Sequence, residues 1–341
     1  MKKRLLFLLF PIFISAQKYQ FIELRKNIKD KNHAAESLTL LDRREDKFIG
    51  IVSHRKTPYE VKFEKDDLNK LISDWFIEYN KERGNNQYFL ILEYLKVKDI
   101  PIERSVKGHL EMQLATFLKK NNQFYFLKKN KISKDYQQKD HAYITRAIAT
   151  NISAEFSNII KDSYDIKELN IPVSENDMEN YEQVISEKLL IFRSESFTDG
   201  VYNDYRSFAE QKPNKELTVR KNKDGVIKGV KRVDDYDNLN REVFAVVDNG
   251  IAYKKTPVSF IEIEKDNDGF FIIASEEELF PQNNTMTIAG AVSFGIVGGI
   301  VGAVIDGATS KARKQNAKYS RVGIDRLTGE YVLPENFGKS K

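Results

Sequence analysis

The sequence predicts an α+β chain: two mixed or antiparallel sheet units with packed helices, followed by an apolar, glycine-rich C-terminal helix. Three observations lead there. Short β-branched and aromatic runs are bounded by turn residues along most of the chain. Two long stretches carry apolar residues at helical spacing. Ile288–Ile305 holds eighteen residues without a charge, in a chain that is 31% charged.

Met1–Gln17 has the three parts of a secretory signal. Lys2, Lys3 and Arg4 precede the apolar run Leu5–Ile14, and Ser15-Ala16 supplies small residues before a cut that would remove 1–16. The apolar run is broken by Pro11 and falls short of the roughly 20 residues of a bilayer span.

Residues 18–164 are expected to form an α+β domain. Lys47–His54 and Tyr59–Glu64 read as strands, and Tyr88–Val97 as a central one because it is nearly all apolar. Leu68, Leu71, Ile72, Trp75 and Phe76 follow helical spacing within 66–80, with Asp66 or Asp67 as the cap. Gly108–Leu118 and Phe124–Leu127 flank Lys119-Lys120-Asn121-Asn122, a hairpin turn composition. Ile144, Ile148, Ile152, Phe156, Ile159 and Ile160 make one stripe on a helix over 140–163. The order YFLILEYLKV, GHLEMQLATF, amphipathic helix resembles small periplasmic accessory domains of bacterial envelope machines. That resemblance covers 87–164 and implies binding of proteins or lipids rather than catalysis.

Residues 165–186 are polar and acidic with Pro172 inside, and read as a linker or surface helix. A second, antiparallel domain is expected over 187–280. Its hairpins turn at Asn222–Gly225, at Asp248-Asn249-Gly250 and at Lys265–Gly269, together a meander. The string GVYNDYRSFAEQKP from Gly200 to Pro213, with Asp325-Arg326-Leu327-Thr328-Gly329-Glu330 in the tail, resembles uncharacterised exported proteins of Bacteroidota-type bacteria. The resemblance implies an antiparallel sheet and an exported address, and no activity.

The net charge is +5. The excess sits at the two ends: three cations open the chain, and the tail 308–341 carries eight Lys/Arg against three Asp/Glu. The body between is slightly acidic, which argues against nucleic acid as a partner. There is no cysteine, which excludes disulfides, thiolate metal sites and lipoprotein acylation.

No nucleophile elbow, Walker loop, dinucleotide fingerprint or paired-histidine motif is present, so no cofactor is expected. Asp266-Asn267-Asp268-Gly269 has the look of a calcium loop with Glu277 at position twelve, but Phe270 cannot ligate, and a hairpin turn is expected. Asp234, Asp235 and Asp237 are an acidic cluster best read as a solvated loop. His33, His54, His109 and His141 never fall within five residues of one another. Lys119, Lys120, Lys128, Lys129, Lys131 and Lys134 interleave with aromatics, and read as solubilising lysines on an edge hairpin.

On a helix, Ala291, Gly295, Gly299, Ala303 and Gly307 recur every fourth residue, with Gly298 and Gly302 about 60° round. This small-xxx-small row is an association face of the kind that lets helices approach closely in lipid. Glu276–Glu278 precede the run and Lys311, Arg313, Lys314 and Lys318 follow, so a transmembrane segment over 285–307 with an internal basic tail is expected. Two alternatives stand beside it: a glycine helix or helical hairpin packed within the domain, and a β-hairpin turning at Gly298-Gly299. A strand pair around Thr328-Gly329 that rejoined the second sheet would conflict with a single crossing.

The functional expectation is an exported envelope protein, a non-catalytic membrane-associated binding or assembly factor. Membrane lipid, and a second copy or a partner helix on the glycine face, are its expected partners. A soluble periplasmic ligand-binding module is the alternative. An envelope hydrolase, with Asp234 or Asp237 converging on a histidine, is the third reading.

Overall fold

The computed structural model describes residues 17–102, 105–234, 243–281, 318–334 and 337–338. The expected signal segment 1–16 and Asp235 and Asp237 of the acidic cluster lie outside the described residues. So does the whole glycine-rich run, with Ala291, Gly295, Gly298, Gly299, Gly302, Ala303 and Gly307.

The fold is α+β, as the sequence predicts. Its largest sheet comprises β1 (Lys18–Ile22), β2 (Ala35–Asp42), β3 (Gly50–His54), β4 (Thr57–Phe63), β5 (Asn86–Ile102), β6 (Ser105–Lys120), β7 (Gln123–Tyr136) and β8 (Pro172–Val173). The order is β1-β4-β3-β5-β6-β7-β8, and β2 pairs with β5 as well. Strand β5 is the centre. Parallel β2 lies along its start, from Ala35↔Asn86 to Asp42↔Leu92, while β3 meets it at Gly50↔Val97. Its apolar run is continuous because both faces are covered: Leu90, Leu92 and Leu95 on one side and Ile91 on the other.

Helices α1 (Leu68–Tyr79) and α2 (Ile144–Asp165) cover one face. Asp67 caps α1 by accepting the N–H of Lys70, and all five expected apolar residues of that helix are buried. All six residues of the α2 stripe are buried too, against Leu110, Met112 and Leu114 of β6. Each isoleucine taken out of water there contributes about 1.5–3 kcal/mol. Gly108 sets how low α2 sits, since a Cβ there would lie 2.8 Å from both Ile144 Cγ2 and Ile148 Cδ1.

The rest of the chain packs on the opposite face. Residues 165–186, read from sequence as a linker or surface helix, instead carry β8 and the start of α3 (Tyr181–Lys188), and bury Leu169, Val173, Met178, Tyr181 and Ile185. Beyond α4 (Leu190–Arg193), β9 (Gly200–Tyr202) and α5 (Tyr205–Ala209), three small sheets follow. They are β10 (Leu217–Lys221) with β11 (Ile227–Arg232); β14 (Phe260–Glu262), β13 (Ile251–Lys255), β12 (Ala245–Asp248) and β9; and β15 (Glu264–Asp266), β16 (Gly269–Ala274), β17 (Ser320–Ile324) and β18 (Tyr331–Val332). The expected hairpins form, but not as one meander. The chain turns a corner at buried Ile263, between β14 and β15, and so changes sheet. Short α6 (Glu276–Leu279) follows β16.

Among the described residues no helix is long and apolar enough to cross a membrane. The expected transmembrane helix is corrected on a second ground. Strands β16 and β17, which bracket the apolar run, are antiparallel neighbours from Phe270↔Ile324 to Ala274↔Ser320. Two strands bonded in one sheet lie on the same side of any bilayer, so the chain between them is not a single crossing and the basic tail does not sit opposite the body.

Candidate functional site

Alternation along β5, β6 and β7 sends every second side chain to the face away from α2. Towards one end that face is buried under the second core, through Ile91, Ala115, Phe117, Phe124 and Phe126. Towards the other end it is polar. Register aligns Lys98, His109 and Asp135 in one row, Lys96, Glu111 and Ser133 in the next, and Tyr94, Gln113 and Lys131 in a third.

The rows are tied by an ion-pair ladder. His109 Nδ1 lies 2.6 Å from Asp135 Oδ1, and Nε2 lies 2.8 Å from Glu111 Oε1. Lys107 pairs with Asp135, and Lys98 with Glu111 at 3.3 Å. Partial burial works to raise both carboxyls, but the lysine and histidine partners outweigh it and hold Asp135 and Glu111 below the usual carboxylate range. Each ring nitrogen of His109 therefore faces a carboxylate oxygen, one from the neighbouring strand and one from its own. The ladder staples β6 to β7 and ends at a shallow cavity of about 290 Å³, lined by Tyr94, Glu111, Met112, Gln113, Lys131, Ile132 and Ser133.

Next to the cavity runs the seam between the sheet and the rest of the chain. Lys131 Nζ lies 2.5 Å from Asp325 Oδ2, and Asp325 also accepts the N–H groups of Leu327 and Thr328 at 3.0 Å each. Burial works to raise the Asp325 carboxyl, yet Lys131 and those two N–H bonds hold it low. Lys129, its side chain 1% exposed, sits 2.6 Å from Glu93 and also pairs with Glu182 and with the Tyr181 hydroxyl. Lys120 pairs with Glu168 at 2.7 Å and Lys128 with Asp162 at 2.5 Å. Lys119 lies over the Phe124 ring and Lys134 over that of Tyr136. The expected solubilising lysines are therefore largely structural: acidic groups from the rest of the chain take up the charge of Lys120, Lys128, Lys129 and Lys131.

The two sequence strings at Gly200 and Asp325 meet in space. The Tyr205 hydroxyl donates to Arg326 O at 2.5 Å, and Gly329, at φ +71°, lies so close to the Tyr205 ring that a Cβ would come within 2.5 Å of it. Arg326 in turn donates to the carbonyls of Asn267 and Asp268, fixing the Asp266–Gly269 loop as the expected hairpin turn.

Lys254 is a second chemically unusual group. Its amine donates to the carbonyls of Phe244 and Lys255 and lies 3.9 Å from the centre of the Phe244 ring. Burial, with Lys255 nearby, pushes its pKa down to about 7. Asp234 is exposed in the turn after β11, and among the described residues no ion pair or hydrogen bond joins it to a histidine. His33 pairs with Glu82 at 3.5 Å, and His141 packs on Tyr136. Among the described residues no group of three or more His, Asp or Glu is placed to hold a metal.

Sequence reading missed the ladder, although its signal was there: Lys107-x-His109-x-Glu111 and Lys131-x-Ser133-x-Asp135 both alternate as strand faces do. What the sequence lacked was the register that sets one beside the other. No family model, no curated protein and no solved structure matches the chain.

Proposed function

We propose that the protein is an exported envelope factor that binds or assembles without catalysis, and that its apolar run meets membrane lipid or a second copy of the chain. One observation carries the reading. The eighteen uncharged residues Ile288–Ile305 lie, in sequence, between two neighbouring strands of one sheet, β16 and β17, so the apolar run is inserted between paired strands. Lys318 on the returning side pairs with Glu277 on the departing side at 2.6 Å. An insertion closed at its base can meet lipid from one face of a bilayer. The signal-like 1–16 supports an exported address. The carboxylates against both ring nitrogens of His109 support a strand-linking role for it at the open face.

The test is vesicle flotation and crosslinking of the purified protein beside a variant in which a short Gly-Ser linker replaces 285–307. The parent should float with vesicles and crosslink to itself, while the linker variant keeps its circular dichroism and does neither. Gly299→Leu should reduce the crosslinked species and spare flotation. A parent that stays monomeric and unbound overturns the proposal.

A further inference from the structure

Helix α2 begins without a cap. Its N-cap residue, Tyr143, makes no side-chain hydrogen bond, and the first turn holds no acidic residue. The helix is 22 residues long, so its positive end is fully developed. The N–H groups of Ile144, Thr145 and Arg146 have no partner among the described residues. In contrast, Asp67 caps α1, and α5 and α6 open on capping boxes.

A second, independent feature lies beneath this end. His54 closes β3 on the helix-facing side of the sheet, with its ring centre 4.8 Å from that of Tyr143. It is 8% exposed, and its buried Nδ1 has no hydrogen-bond partner. A buried ring nitrogen left unpaired costs about 1–3 kcal/mol, which a ligand bonded to it would offset.

The surroundings are cationic. Arg55 and Lys56 form the two-residue turn after His54, both at positive φ, +48° and +65°. The other two-residue turns of this type use Asn121-Asn122 and Asn249-Gly250, residues that adopt this conformation readily. Lys139 stands four residues before Tyr143, and Arg146 lies in the first turn of α2. None of these four cations has an ion-pair partner among the described residues, whereas most lysines of β6 and β7 do. Two acids share this neighbourhood: Asp140, and Asp99, whose carboxylate accepts the N–H of Ser53 at 3.0 Å.

We infer that the N-terminus of α2, with His54 beneath it and Arg55, Lys56 and Arg146 around it, binds a phosphate group. Three N–H groups and an imidazole N–H supply donors, and a tetrahedral anion can meet several at once. The flanking cations add charge without needing fixed geometry. The phosphate can belong to a lipid headgroup or to a soluble phosphate monoester. The inference does not rest on the proposed role of the apolar run.

Inorganic phosphate is titrated into the purified protein while the His54 ring resonances are followed by NMR. Flotation is then run with phosphatidylcholine vesicles with and without phosphatidic acid, in the parent and in the 285–307 linker variant. The His54 resonances should shift saturably with phosphate. Tyr143→Asp places a carboxylate where the anion would sit. It should weaken phosphate binding at least about tenfold while the melting temperature holds or rises, which separates loss of the site from loss of the fold. R55A/K56A should also weaken binding, and reduce its salt dependence. Flotation of the linker variant that needs phosphatidic acid and is competed by phosphate assigns a lipid source; phosphate binding without such flotation assigns a soluble one. His54 resonances unmoved by either probe, or phosphate affinity unchanged in Tyr143→Asp, overturn the inference.

Discussion

Removing the carboxylate of Asp325 should loosen the seam between the large sheet and the chain that follows it, by an amount that depends on pH. The Asp325 side chain is 6% exposed and its partner Lys131 is 33% exposed. Breaking a fully buried pair by deleting one member costs about 3–5 kcal/mol. The partial exposure of Lys131 lets water recover some of that, so Asp325→Asn, which keeps an acceptor for Leu327 and Thr328, should lose about 1–3 kcal/mol. Lys131→Met strands a buried carboxylate and should lose about 2–4 kcal/mol. The double variant K131M/D325N leaves no orphan charge, and should be at least about 1 kcal/mol more stable than the sum of the single losses. Urea unfolding followed by far-UV circular dichroism measures all four proteins.

The sign of the pH dependence follows from the shifts. Asp325 is held below its ordinary value, so its contribution is present above about pH 4 and is lost as pH falls through its folded value. For Lys131, burial opposes the charge, but Asp325 wins and raises it; that contribution is complete below about pH 10 and fades as pH climbs past its folded value. The gap between parent and Asp325→Asn should therefore be widest near neutrality and close on acidification. Single losses that add to within about 0.5 kcal/mol, or a gap unchanged down to pH 3, would refute the coupling.

Two further outcomes follow from the packing. Lys254 has a folded pKa of about 7, so below pH 7 its burial costs stability in full, and the cost shrinks as pH rises toward 10; Lys254→Met should stabilise by about 2–4 kcal/mol at pH 6 and by little at pH 10, read from urea midpoints. Gly108→Ala sets a methyl 2.8 Å from two isoleucine side chains of α2 and should lower stability by about 1–3 kcal/mol, with faster hydrogen exchange in the first turns of that helix.

Local signals carried well. The Asn249-Gly250 turn, the Asp67 cap and the six-residue stripe of α2 each depend on neighbours a few positions away, and each is where the spacing puts it. Strands β1 and β2 were not legible, because each pairs in parallel with a strand far along the chain, β4 and β5, and no turn composition advertises such a pairing. Arg55-Lys56 was hidden for the opposite reason: it makes a tight turn with residues that do not favour one. The basic run on β7 was visible as composition, but its meaning rests on Glu93, Glu182 and Asp325, the last 194 positions away from Lys131.

The sequence by itself determined the class of fold, most of the hairpins, the helix faces and the presence of one long uncharged run. Periodicity and turn chemistry act over a few residues, and the chain prints them directly. Tertiary structure decided which strands lie side by side, and with that three things the sequence left open. It placed His109 between two carboxylates, it spent the β7 lysines on a buried seam, and it brought β16 and β17 together across the apolar run. That last pairing turned an expected membrane crossing into an insertion, because strands that share hydrogen bonds also share a side of the bilayer.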